Sequence, residues 1–111
     1  MRIEVKNIYH TDTLDPSEER FEDLLKGAGA RLERIVSFGH PTPDGDWYDQ
    51  TDTEWVMLLE GEATLVFDHD EPITLRRGDY LTLPPHLRHR VAAVSHDAIW
   101  LCLFVEQMAN D

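Results

Sequence analysis

Cysteine is nearly absent: one residue, Cys102, in a chain of 111. A lone cysteine excludes an intrachain disulfide and suits a reducing compartment. Its setting in the apolar run "IWLCLFV" marks it as inert core packing. Positive charge is also scarce, with 10 Lys and Arg against 22 Asp and Glu, and the net charge of −12 repels phosphate backbones. Nucleic acid and anionic membranes are therefore excluded as expected partners, and the acidity reads as a well-solvated surface. No apolar run reaches the roughly 18 residues of a membrane span. The opening "MRIEVKNIYHTD" lacks the basic and apolar segments of a signal peptide, so a cytoplasmic location is expected. Missing too are a phosphate-cradling glycine loop, a G-x-S-x-G elbow and a Cys-x-x-Cys pair, and Ser17, Ser37 and Ser95 have no activating neighbours.

What is present reads as one domain. A single core suits this length, with 41% hydrophobic residues, no repeat and no low-complexity segment. Residues 1–30 form an N-terminal segment, in which "LDPSEERFEDLLKGAG" predicts one short helix. Asp15 is its N-cap, Pro16 its first position, Glu18 the partner in a capping box and Gly27 its stop. Phe21, Leu24 and Leu25 give it an apolar stripe. Residues 31–111 then read as short strands, "RLERIVSF", "EWVMLLE", "ATLVF", "PITL", "DYLTL", "HRVAAV" and "AIWLCLFV", punctuated by Gly, Pro and Asp. Strands at this spacing predict an all-β sandwich or barrel, with a tight hairpin at Gly61. "AIWLCLFV" is apolar in both phases and needs cover on both faces, from the N-terminal segment or a second subunit.

From Arg31 to Val105 the chain resembles the cupins, small jelly-roll barrels with two sequence motifs. Their first motif is Gly, His-x-His, Glu three or four residues on, and Gly after six more; here Glu54 and Gly61 have that spacing. Their second is Gly, five residues, Pro-x-Gly, two residues, His, three residues, Asn. Gly78, Pro84 and His89 in "GDYLTLPPHLRH" match it, with His86 in place of its Gly and Ala93 in place of its Asn. The sixteen residues between Gly61 and Gly78 suit a compact single-domain member. The resemblance implies a cupin-type jelly-roll barrel, and small cupins commonly pair as homodimers.

The first motif lacks its imidazoles. Counting back from Glu54, the two histidine positions fall on Trp47 and Asp49 in one register and on Tyr48 and Gln50 in the other. A first-row metal needs three or four N, O or S donors, which Asp49 meets well, Gln50 and Tyr48 less well and Trp47 not at all. The candidate metal ligands are Asp49, Glu54 and His89, with His86 as an irregular fourth and Mn, Fe or Zn as the divalent ion. Glu54 shares a phase with Val56 and Leu58, the side a barrel buries, and a buried carboxylate there demands a cation or a donor. His89, in phase with Val91 and Ala93, is expected to look inward from a neighbouring strand.

Arg34 has two readings: a partner that satisfies Glu54, or a forked anchor for a ligand carboxylate or phosphate. Trp47, Tyr48, Trp55, Tyr80 and Trp100 could line a pocket mouth, although Trp55 is out of phase with Glu54 and suits an interface. His10, His40, His69 and His96 fall in terminal or loop contexts and are expected in solvent. Two functions follow: a metal-dependent enzyme in which Tyr48 or His86 transfers protons, or a metal-free small-molecule-binding module with Arg34 as anion anchor.

Overall fold

In the segment Thr53–Glu60 every second residue is buried, and the same period runs through Glu62–Phe67 and Ala98–Val105. That period of two is what a pleated strand with one inward face requires. The computed structural model describes residues 1–106 and contains eight strands: β1 (Arg20–Gly27), β2 (Ala30–Ser37), β3 (Thr53–Glu60), β4 (Glu62–Phe67), β5 (Ile73–Arg76), β6 (Tyr80–Leu83), β7 (His89–Val94) and β8 (Ala98–Val105). They form a five-stranded sheet in the order β1-β2-β8-β3-β6 and a three-stranded sheet in the order β5-β4-β7. All pairings are antiparallel.

The inner faces meet in one apolar core. Val56, Leu58, Leu83, Trp100, Cys102 and Phe104 come from the larger sheet, and Ala63, Leu65, Phe67 and Leu75 from the smaller. The expected hairpin after β3 is present, and Gly61 turns it with φ 92°. A Cβ there would lie 2.8 Å from Ala98 Cα, so both the conformation and the space call for glycine. Among the described residues no helix is long and apolar enough to cross a membrane.

The predicted helix is absent among the described residues. Asp15 does act as a cap, accepting the Ser17 N–H at 2.9 Å and the Ser17 hydroxyl at 2.7 Å, and these bonds lower its pKa. The cap closes only one turn, after which Arg20–Gly27 enters the sheet as β1, with Phe21 opposite Ile35 and Gly27 opposite Ala30. A helix this short is marginal alone, whereas the open edge of β2 supplies a partner for each strand hydrogen bond. Phe21, Leu24 and Leu25 consequently lie largely exposed.

The outer face of the larger sheet carries the other phase of β2. Arg34 and Val36 are buried on that side, and the Arg34 Nη1 donates to the carbonyls of Ile8 at 3.0 Å and His10 at 2.7 Å. Residues 8–10 therefore cover part of it.

Candidate functional site

Glu54 opens the inward phase of β3, and His89 opens that of β7 on the opposite sheet. The two side chains converge: His89 Nε2 lies 3.7 Å from Glu54 Oε1, with the residues 5% and 7% exposed. The His89 Nδ1 pairs with the Leu87 carbonyl at 2.8 Å. Because a carbonyl only accepts, this bond puts a proton on Nδ1, and in the neutral ring it leaves Nε2 as an acceptor facing the cavity. In β7 the inward phase continues through Val91. A bulge in the pairing with β4, between Thr64 and Leu65, then shifts the register so that Ala63 faces Val94. Ala93 is exposed, contrary to the simple alternation expected for it.

Tyr48 and Gln50, rather than Trp47 and Asp49, stand in the histidine positions of the first motif. Gln50 Nε2 donates to Glu54 Oε1 at 2.6 Å. Tyr48 exchanges backbone hydrogen bonds with His89, at 2.8 and 3.1 Å, and its ring stacks on the imidazole with centroids 5.4 Å apart. Burial, followed by the charge of Glu19, pushes the Tyr48 phenol up, so it remains a neutral donor. Trp47 packs instead beside the guanidinium groups of Arg88 and Arg90, at 5.1 and 5.9 Å.

Asp49 is a correction to the expected ligand set. Its Oδ1 meets His86 Nδ1 at 2.9 Å on the surface, apart from Glu54 and His89. His86 is exposed and lies outside the central cavity, so the structure does not join it to the others. The motif's glycine position explains its backbone, since His86 adopts φ 62° where glycine would be relaxed.

Arg34 is a second correction. It shares a phase with Leu32 and Val36 as expected, but that phase faces outward; Glu33, Ile35 and Ser37 face in. Its guanidinium is taken up by Glu22 at 2.7 Å from Nε and by the two N-terminal carbonyls, so it neither reaches Glu54 nor opens onto the cavity. Trp55 faces away from the interior as expected and packs on Tyr80 at 5.6 Å, and Trp100 lines the cavity. Of the other histidines, His10, His69 and His96 are exposed, whereas His40 is half-buried and bonded to the Pro16 carbonyl at 3.1 Å.

The cavity between the sheets has a volume of about 90 Å³. Its polar wall holds Glu19, Glu33, Glu54, Gln50, Tyr48 and His89, and its apolar wall includes Phe21, Val56, Leu83, Trp100 and Phe104. Sequence reasoning missed Glu19 and Glu33. Burial pushes both carboxyls above their ordinary range, opposed at Glu19 by the Ser37 hydroxyl and at Glu33 by Arg31, which bonds it at 2.8 Å. The alternation of "RLERIVSF" separates Glu33 from Arg34, but both phases of β2 are covered and the pattern does not say which is inner. No signal in the sequence points to Glu19. Cys102, 1% exposed, lies against Glu54, and burial pushes its thiol well up, so it stays protonated and inert.

A cupin-domain family model matches residues 40–104, more than half of the chain, and the chain belongs to the cupin family. A crystal structure from Ralstonia eutropha JMP134, named as a proposed mannose-6-phosphate isomerase, is 34% identical. The match covers 95% of this chain and all of that one, with a TM-score of 0.86. An RmlC-like cupin from Desulfovibrio desulfuricans is 20% identical over 96% of this chain and 100% of that one, with a TM-score of 0.74. The KdgF protein of a Halomonas species is 15% identical over 86% and 85%, with a TM-score of 0.69. No curated protein matches the chain.

Many cupins hold a metal here, and the donor set of this chain tests that fit. Glu54 and His89 supply two ligands, and Gln50 offers its amide N–H to the carboxylate rather than an oxygen to an ion. Among the described residues no three His, Cys, Asp or Glu side chains are placed to hold a metal. Two ligands fall short of the three or four that a divalent first-row ion requires, so the residues present do not fit it.

Proposed function

We propose that this cupin is a metal-free small-molecule-binding protein whose ligand occupies the cavity between the sheets, with Glu54 and His89 as its polar contacts. One observation carries this reading: two buried polar side chains from opposite sheets face each other at 3.7 Å without a hydrogen bond between them. Buried polar groups are ordinarily paired; Glu54 Oε1 already accepts from Gln50, whereas His89 Nε2 has no partner among the described residues. A ligand polar group placed beside the two would pair that nitrogen and add a second bond to the carboxylate. The position of Asp49 outside the cavity supports the metal-free class over the metal-dependent one.

The name of the Ralstonia protein brings a second reading, isomerisation of a sugar phosphate. Phosphate recognition calls for arginine, lysine or a helix N-terminus. Among the described residues no Lys or Arg lines the cavity, and Arg34 is engaged on the other face of β2. The charge of the cavity supports binding of a non-anionic molecule instead.

The test combines elemental analysis of the purified protein with ligand-observed NMR screening of small fragments against the wild type and Glu54→Gln. The expected result is substoichiometric metal together with hits that Glu54→Gln weakens. Stoichiometric metal overturns the metal-free assignment, and hits indifferent to Glu54→Gln overturn the site.

A further inference from the structure

The cavity's charge and its acceptors define a ligand more narrowly than the family does. Three carboxylates, those of Glu19, Glu33 and Glu54, line it, and among the described residues no lysine or arginine does. Arg31 offsets Glu33 from outside the cavity. Independently of the acids, His89 is 5% exposed and its Nε2 has no hydrogen-bond partner among the described residues. In the neutral ring that nitrogen is an acceptor, because the bond to Leu87 puts the proton on Nδ1. It shares a space with a second acceptor, Glu54 Oε1, which takes one N–H from Gln50 and keeps a further lone pair. Two facing acceptors call for a group with at least two N–H or O–H donors. A hydroxyl has one; an ammonium has two or three and adds the charge that a carboxylate favours.

Beyond Thr42, Tyr48 and Gln50 the remaining walls are apolar, and two rings are free for a cation's flank. Phe104 already lies under Arg31 at 4.2 Å and Tyr48 stacks on His89, which leaves Phe21 and the face of Trp100. The volume of about 90 Å³ holds about six to nine water-sized groups at roughly 10–15 Å³ each. We propose that the cavity binds a small primary or secondary organic ammonium ion, its charged nitrogen between Glu54 and His89 and its apolar body against Val56, Leu83 and Trp100. The inference rests on the ligand-binding reading above and adds the chemical class.

Three probes of one shape test it by isothermal titration calorimetry on the full chain at pH 7.5: benzylamine, cationic at that pH, benzyl alcohol, neutral, and benzoate, anionic. The expected result is that benzylamine binds at least about tenfold more tightly than the alcohol, the ratio one charge-assisted hydrogen bond supplies, with no binding of benzoate. Glu54→Gln is expected to remove that advantage, lowering the amine's affinity by at least about tenfold and the alcohol's by less. Glu33→Gln, whose native Arg31 contact lies outside the cavity, is expected to reduce it in part. Should the alcohol or benzoate bind as well as the amine, and lose affinity when Val91→Phe fills the cavity, the ammonium class fails while the ligand cavity stands. If none of the three binds at millimolar concentration, both fall.

Discussion

Gln50→His is the substitution that most directly examines the reading of the site. Gln50 already touches Glu54 at 2.6 Å, and Glu54 lies 3.7 Å from His89 Nε2. At ligand distances of about 2.1 Å, a tetrahedral angle separates two donor atoms by about 3.4 Å. The existing pair therefore needs to close by only a few tenths of an ångström. An imidazole at position 50 would raise the donors from two to three, the minimum for an open divalent site. At a free Zn²⁺ concentration 100 times the Kd, linkage stabilises the fold by about 2.7 kcal/mol. For a domain of this size that is a rise in Tm on the order of 10 °C. Thermal denaturation with and without Zn²⁺, repeated after chelation, reads the effect. The expected outcome is a chelator-reversible rise in Gln50→His that Glu54→Ala abolishes in the same background, and no comparable rise in the wild type. A wild-type rise equal to the variant's, or a folded variant that gains nothing, would refute the argument that the site is one ligand short.

Two further outcomes follow from other parts of the molecule. Burial holds the Glu33 carboxyl above its ordinary 4.5, against the pull of Arg31, so the folded chain keeps this proton more tightly than the unfolded one. Its stabilising contribution is complete below about pH 4.5 and is lost as pH rises through the folded value. Glutamine does not ionise, so the Tm of Glu33→Gln minus that of wild type is expected to increase from pH 4.5 to 7.5; a difference that shrinks over this range contradicts the assignment. The outer face of β3, β6 and β8 carries Trp55, Met57, Leu101 and Leu103 beside Tyr80, which is 65% exposed. We propose that a second copy of the chain covers this face, so light scattering is expected to give about twice 12.9 kDa and Tyr80→Asp with Trp55→Asp a monomer, whereas a monomeric wild type at micromolar concentration rules the pairing out.

The sheets were legible wherever one phase of a strand is apolar and the other polar. Glu54, Val56 and Leu58 announce their common face, and so do Ala63, Leu65 and Phe67. Legibility failed where two local rules compete. Asp15, Pro16 and Glu18 carry a helix-start signal, and Phe21, Leu24 and Leu25 fit a helical stripe, yet pairing along β2 outweighs both. In the Trp47–Gln50 stretch the failure is one of register. A slip of one residue exchanges Asp49 for Gln50 at the cavity, and the backbone bridge between Tyr48 and His89 that fixes the choice joins residues far apart in the chain. The outward phase of Arg34 was hidden because β2 is covered on both sides.

The position of β8 has a consequence for how the chain is made. Ala98–Val105 follows seven other strands in the sequence, yet it lies between β2 and β3 and bonds to both. While a ribosome is still adding the residues before Ala98, those two neighbours each have an open flank with its amides and carbonyls unpaired. Such flanks are templates for pairing with another nascent chain. The central hydrogen-bonding pattern, and with it a closed cavity, can form only after synthesis has passed Val105. Quality-control factors that shield unfinished sheets thus have the whole span from Ala30 to Val105 in which to act.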